Sequence, residues 1–425
     1  MRPQTALPFL FPACIFLILI FCASSLCGQD YMSFRLDQAR VIEKTWMKLG
    51  PLRIYPIIRF AEVGYDNNVF RQVEVQEPLS DFTLTFSPEI QFSILLRENI
   101  ILRFIENPAY VYYLDLEDLR GFYNSYSAEF RWRMLLGFVL SGKYTNMTGR
   151  YRPWGEFTER VDELRQGYNA SLYYEDNQNT RIGISAGKFK IQYPAIANPE
   201  GVSGYAALLN REENAVGLEL NYRIYSDTSW FLEGRYTDYS FEFAEAAFRD
   251  SRSYQVSTGI RFPIVGDLRG RLSIGYKYLI PEAAEDKKFS SLIGSSSVEY
   301  RRGRFGFRVQ YVRDTPFSLY SNSIYYVSDT YGGGVSLYAL SFLRLDYNYS
   351  HGKAAYPELI NVLQPSGYYL ETKRTDTYRV HTAGIVVRLT GRIGIGLSVN
   401  FWERESNVDF FRRSTFIGAT ITHNF

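Results

Sequence analysis

Cysteine, histidine and long hydrophobic runs are nearly missing from this sequence. Its three cysteines, Cys14, Cys22 and Cys27, all precede residue 28. The body of the chain therefore has no material for a disulfide framework or a thiolate metal site. The histidines are His351, His381 and His423. No GxSxG, HExxH, phosphate loop, dinucleotide fingerprint or EF-hand loop accompanies them. Glu212 and Glu213 are adjacent carboxylates, but such a pair reads as a solvated loop rather than a hydrolase pair. No enzyme, cofactor or metal is expected. After the first 28 positions no apolar stretch approaches the roughly 20 residues of a membrane helix. The net charge of +2 gives no bulk attraction for a nucleic acid.

The one apolar run goes from Leu7 to Phe21, follows Arg2, and ends in Ala23-Ser24-Ser25. These are the three regions of a secretory signal peptide. Residues 1–28 are expected to be removed, with cleavage between Ala23 and Gly28. Leu26 before Cys27 and Phe21 before Cys22 are too large for a lipoprotein signal. Residues 29–50 read as a short periplasmic segment, either a helix with Phe34, Leu36, Val41, Ile42 and Trp46 on one face or a weakly ordered leader.

Aromatic residues, by contrast, make up 17% of the chain, with 35 Tyr and 31 Phe, while mean hydropathy is only -0.20. That combination suits a transmembrane barrel, whose strands are apolar at every second position and whose two rims carry aromatic girdles. From Leu52 onward the dominant period is two. Leu343, Leu345, Tyr347 and Tyr349 alternate with Arg344, Asp346, Asn348 and Ser350. Ile393, Ile395, Leu397, Val399 and Phe401 alternate with Gly394, Gly396, Ser398 and Asn400. Short turns of the Asn/Asp/Gly type, as at 176–179, 226–228, 266–267 and 390–391, alternate with long connections at 66–80, 150–165, 193–213, 314–321 and 351–376. A soluble sandwich also alternates, but not with strands this long or with this short-long rhythm. The expected fold is all-β: a transmembrane antiparallel up-and-down β-barrel of about 18 strands over 51–425, in the cell outer membrane. Lipid and lipopolysaccharide would surround it.

The last strand, from Ser414, ends His423-Asn424-Phe425. A terminal aromatic on an alternating strand resembles the signal read by the barrel-assembly machinery, with Phe425 and His423 as its marked positions. Where the first strand ends, the chain reads Gly64-Tyr65-Asp66-Asn67-Asn68-Val69-Phe70-Arg71. This phrase, in this place, resembles the β-barrel porin 2 family of outer-membrane proteins. The resemblance implies a conduit for a secreted exopolysaccharide, working with a periplasmic polysaccharide-export component, and brings no catalytic residues. Read from the residues alone, Asp66, Asn67 and Asn68 are a polar turn at the outer surface, or a calcium or sugar contact.

If the apolar set faces lipid, the opposite set lines the lumen. Its basic members include Arg223, Arg235, Arg261, Arg271, Lys277, Arg308, Arg344 and Arg392, against acids such as Glu219, Glu233, Glu299 and Asp346. A low-dielectric tube with an excess of one sign favours the opposite ion; the same residues can instead brace the wall as ion pairs. Three functions fit: a polysaccharide conduit with a Tyr/Arg-lined lumen, a general diffusion porin with mild anion preference, and a structural or adhesive barrel whose outer loops bind a partner.

Overall fold

The computed structural model describes residues 34–425, apart from 74–76, 153–155, 158–159, 177–178, 195–205, 226–227, 265–266, 284–286, 321–322, 364–368, 410 and 425. The signal segment 1–28 and Phe425 lie outside the described residues. A helix α1 (Phe34–Glu43) and a short strand β1 (Met47–Leu49) precede the wall. The first half of the wall is β2 (Leu52–Asp66), β3 (Asp81–Phe86), β4 (Glu89–Leu96), β5 (Ile100–Tyr113), β6 (Gly121–Arg133), β7 (Phe138–Tyr151), β8 (Val161–Glu175), β9 (Thr180–Gln192), β10 (Arg211–Tyr225) and β11 (Thr228–Phe241). The second is β12 (Ser251–Ile264), β13 (Leu268–Pro281), β14 (Phe289–Arg302), β15 (Phe305–Asp314), β16 (Val327–Tyr338), β17 (Leu343–Leu363), β18 (Tyr369–Arg388), β19 (Ile393–Ser406) and β20 (Arg412–Asn424).

Each strand pairs antiparallel with its neighbours, and β20 pairs with β2 to close the sheet. β3 and β4 share one wall position, interrupted at Ser87-Pro88, and β1 only extends the edge of β2. The result is an 18-stranded closed barrel, so the expected fold is borne out. Closure gives each wall strand a partner on both sides and pairs the wall backbone internally, as a bilayer demands.

The pairings also order the side chains. Leu397 lies beside Ile385 and Ala419, and Ser398 beside Gly384 and Gly418. Across the sheet, one face collects Ile184, Leu218, Val256, Ile274 and Leu397. Leu218 is 62% and Leu397 57% exposed, an arrangement stable only against hydrocarbon. Toward the long-loop end the same face turns ionic, with Lys188–Glu212 at 2.6 Å, Arg252–Glu282 at 2.7 Å and Arg379–Glu403 at 2.7 Å. Tyr144, Tyr168, Tyr236, Tyr254, Tyr311 and Tyr331 form ring contacts near that boundary. This is the apolar band and aromatic girdle of an outer-membrane barrel.

Two stretches differ from expectation. Most of 351–376 is not loop: β17 and β18 stay paired from Leu343↔Val387 out to Leu363↔Tyr369, with a bulge between Ala355 and Leu359. This hairpin extends beyond the other strands. Residues 323–326, read from the sequence as the start of a strand over 322–337, belong instead to a segment that buries Phe317, Leu319, Ile324 and Tyr325 in one apolar cluster. A bulge in β2 also switches the faces. Phe60 pairs with Ile421 but Val63 with Ala419, and Glu62 takes φ 51, so outward residues are even-numbered before it and odd-numbered after it.

The buried clusters are inside the tube. Phe34 and Val41 of α1 pack on Leu95, Ile101, Val139 and Tyr173, all on the inward face at the short-turn end. Helix α1, within the 29–50 segment, thus packs inside the short-turn end of the barrel. Leu36 and Ile42, expected to share its packed face, are exposed.

Candidate functional site

The lumen is polar in its middle and narrowed at both ends. Its middle rows carry small side chains: Ser127, Ser171, Ser185, Gly217, Ser257, Ser273, Ser295, Gly332 and Thr382. Small residues leave the tube open where Arg or Tyr would fill it. A cavity of about 880 Å³ runs along this wall. Lys143, Arg165, Arg181 and Arg235 face it, with Glu89, Glu219 and Glu233. A second hollow, of about 980 Å³, lies on the lipid face over Gly142, Ala170 and Ala186 and does not connect the two sides of the membrane.

At the outer end the β7–β8 loop crosses the mouth. Its Glu156, 2% exposed, accepts hydrogen bonds from Ser318 Oγ at 2.9 Å, Leu319 N at 2.7 Å and Tyr356 Oη at 2.7 Å. Ser318 and Leu319 belong to the β15–β16 connection and Tyr356 to β17, on the side of the barrel facing β7 and β8. Around this bridge Phe157, Leu209, Phe241, Ala246, Phe317 and Ile324 form one apolar cluster. Arg249, fully buried, donates to Tyr320 O. Burial holds its guanidinium down to about 10, while the Glu156 carboxylate pulls it the other way. Beside it, Asp376 receives Arg374 at 3.0 Å and Arg404 at 2.8 Å. Buried ion pairs of this kind fix geometry more than they add stability.

The eight basic candidates fall into three situations. Arg261 and Arg271 are register partners on β12 and β13. Both contact Glu233, at 2.7 and 3.1 Å, and both lie 4.5 Å over the Phe231 ring. Lys277 pairs with Asp314 at 2.8 Å, Arg308 with Glu299 at 3.7 Å and Arg344 with Asp346 at 2.8 Å, and Arg235 donates to Thr237 Oγ1 at 3.1 Å. The remaining two are not in mid-wall. Arg223 sits exposed at a bulge by the β10–β11 turn, and Arg392 lies in the exposed turn between β18 and β19. Wall carboxylates thus occupy most of these cations, and two cations share the single Glu233. Sequence reading missed Asp37, Glu156 and Arg165 as lumen groups. Glu156 and Asp37 lie outside the period-two strands, so no pattern placed them.

The phrase from Gly64 to Arg71 ties the barrel seam. An added Cβ at Gly64 would stand 2.0 Å from Ile417 O, so only glycine lets β2 approach β20 there. Asn67 and Thr415 exchange bonds across the seam, N to Thr415 O at 3.1 Å and Oδ1 from Thr415 N at 2.7 Å. Asn68, 3% exposed, donates to Gln72 O and Arg413 O and accepts from Gln72 N. Asp66 Oδ1 accepts from Asn68 N at 3.0 Å. Tyr65 faces outward, while Val69 packs on Val111 and Tyr113 beside Phe70. Arg71 stacks on Trp402 at 3.7 Å. Asp66 Oδ1, Asn67 Oδ1 and the Asn68 amide thus serve this turn, and no group of metal-ligating side chains is found among the described residues. His423, by contrast, faces outward between Ile393 and Ile58.

No protein-family model matches the sequence, and no curated protein matches it. The family suggested by the seam phrase is therefore not confirmed. Several solved structures share the fold. The outer membrane protein opdK from Pseudomonas aeruginosa aligns at TM-score 0.53 and 11% identity, over 89% of this chain and 100% of its own. OpdK with vanillate, from the same organism, aligns at 0.51 and 11%, over 89% and 99%. Pseudomonas aeruginosa OpdQ aligns at 0.52 and 11%, over 89% and 99%. At such identity the likeness extends to the fold alone. With the closed sheet, the apolar band and the polar lumen, it makes this chain an outer-membrane β-barrel of porin architecture.

Proposed function

We propose that this barrel is a diffusion porin for small solutes with a preference for anions. The observation that carries the reading is the Glu156 bridge. A loop is held across the mouth, above a cavity of about 880 Å³. That geometry suits a small solute and is poorly suited to a continuous polymer. Neither the lumen nor the fold likenesses support the exopolysaccharide conduit. The anion preference rests on Lys143, Arg165, Arg181 and Arg235 around the cavity, and on Arg261 and Arg271 sharing one carboxylate. Cations fixed on low-dielectric walls focus the field on a passing anion. The structural or adhesive alternative has no comparable feature in its favour.

The test is reversal potential in planar bilayers under a salt gradient. The barrel should pass chloride over potassium. Arg165→Glu with Arg235→Glu should move the reversal potential toward cations. The shift should be larger at 0.1 M than at 1 M salt, because the Debye length falls from about 10 Å to about 3 Å. Unaltered selectivity at low salt would mean that the wall carboxylates neutralise these groups and that the basic residues only brace the barrel.

A further inference from the structure

One position of the wall is made of two strands, β3 and β4, with Ser87-Pro88 between them. Toward β5, register pairing stops at Phe86↔Tyr110 and resumes at Ile90↔Glu106. Residues 87–89 and 107–109 between them are not paired across. Four residue steps at about 3.3 Å each make this unlaced stretch roughly 13 Å long. Pro88 and Pro108 both fall within it, and neither has an N–H to give to a ladder. Inside sheets, proline is otherwise kept to edges and bulges. Toward β2, Ser87 N–H reaches Arg59 O at 2.8 Å, and the bulge at Glu62 begins just beyond Phe60↔Phe86. Two lattice faults therefore adjoin near the middle of β2.

The fault stands between the lumen and the bilayer. On its inner side Arg59, Glu89, Ile105 and Asn107 line the cavity of about 880 Å³. A side chain spans the stretch where the backbone does not: Asn107 Nδ2 donates to Pro88 O at 2.8 Å. On the outer side the Phe60 and Phe86 rings lie 4.8 Å apart. Glu106 is on the same outward face as Phe104 and accepts from Asn124 Nδ2 at 2.7 Å. A carboxylate turned out of a barrel is stable only where polar partners reach it. Polar groups thus stand on both sides of an unlaced piece of wall, with two aromatic rings beside it on the lipid side.

We propose that this fault is a lateral port, latched by Asn107, through which small uncharged molecules with an apolar body and one hydrogen-bonding group pass from the lumen into the bilayer. The port rests on the porin reading for entry and goes beyond it in the route out. An apolar body gains by leaving water for hydrocarbon. The hydrogen-bonding group meets Asn107 and Pro88 O on the inner side and Glu106 and Asn124 on the outer side, so it is not left unsatisfied on the way. Opening breaks the Asn107 bond and separates no paired residues of β3, β4 and β5. A charged solute gains nothing from this route, because its charge would still have to enter hydrocarbon.

The test follows entry of the uncharged dye N-phenylnaphthylamine, which brightens in a bilayer, into intact cells whose lipopolysaccharide leaflet slows its direct entry. Each variant is first checked for folding by heat-modifiable migration. Dye should enter faster with the barrel than without it. Asn107→Ala removes the latch and should speed entry about fivefold, the shift that one net hydrogen bond represents. The sequence has no cysteine after Cys27, so Glu89→Cys with Asn107→Cys gives a clean lock. Continued from Ile90↔Glu106, the register sets these two positions opposite each other, within disulfide reach. The oxidised pair should slow dye entry to the rate without the barrel, and dithiothreitol should restore it. Chloride current of the purified barrel should be the same in both states. Dye entry unchanged by Asn107→Ala and by the oxidised pair, with normal chloride current, overturns the port and leaves the porin reading intact. Should the pair form no disulfide, unchanged entry with Asn107→Ala overturns the port alone. Dye entry that falls only together with chloride current means that the lock narrows the lumen, and this too overturns the port. Absence of ion current in every folded form removes the porin reading, and the port with it.

Discussion

Tyr356 Oη and Glu156 are 2.7 Å apart, yet they come from opposite sides of the barrel. One stands on β17 and the other on the loop joining β7 to β8. A carboxylate carried across a lumen and buried there has to be satisfied by the far wall, and Tyr356, Ser318 and Leu319 N–H do this together.

Breaking the bridge should widen the mouth without unfolding the wall. Glu156→Ala removes the acceptor of all three bonds and leaves Arg249 without its nearest counter-charge. Losing one buried hydrogen bond costs about 1–3 kcal/mol, charged to the loops and not to the sheet. Single-channel conductance should rise, and the 152–160 loop should become sensitive to added protease in intact cells. An unchanged conductance in a folded variant would falsify the constriction.

The register predicts opposite results at adjacent positions. Leu397 faces lipid beside Ile385 and Ala419, and Ser398 faces the lumen beside Gly384 and Gly418. Leu397→Arg should cost about 2–4 kcal/mol if near the bilayer midplane. Ser398→Arg should leave stability nearly constant and lower conductance. Urea unfolding from vesicles measures the first and bilayer recording the second; equal destabilisation by both would mean the two faces are misassigned.

The seam should be a weak point when its turn is cut. Asn68→Ala deletes contacts to Gln72 and Arg413 at a side chain only 3% exposed. A loss of about 1–3 kcal/mol is expected, seen as a lower temperature for conversion of the folded to the unfolded gel band. Gly64→Ala should be worse, since its Cβ collides with β20 backbone. Tolerance of both changes would show that β2–β20 closure does not depend on this turn.

Phe425 lies outside the described residues, but its place after an alternating last strand makes assembly the expected role. Phe425→Lys should reduce the amount of heat-modifiable barrel while leaving export to the periplasm unaffected. Normal yield of folded protein would remove the terminal aromatic from the assembly signal.

The sequence by itself determined the wall. Period-two alternation acts between adjacent residues, and a bilayer rewards it at every strand, so the strand positions and the inward set around Arg261, Arg271 and Arg344 were readable. Short turns with Asn, Asp and Gly marked one end, and that gave the orientation of the barrel. Tertiary structure alone decided what fills the tube. Whether Arg344 is available or held by Asp346 depends on rotamers two residues apart on one strand face. The partners Asp37–Arg131 and Glu156–Tyr356 are 94 and 200 residues apart and follow no period. The bulge at Glu62 and the burial of Phe317, Leu319 and Ile324 arise from strand closure and from apolar packing among several loops. Such contacts are set by where the closed sheet brings distant segments together, and a local pattern carries no record of them.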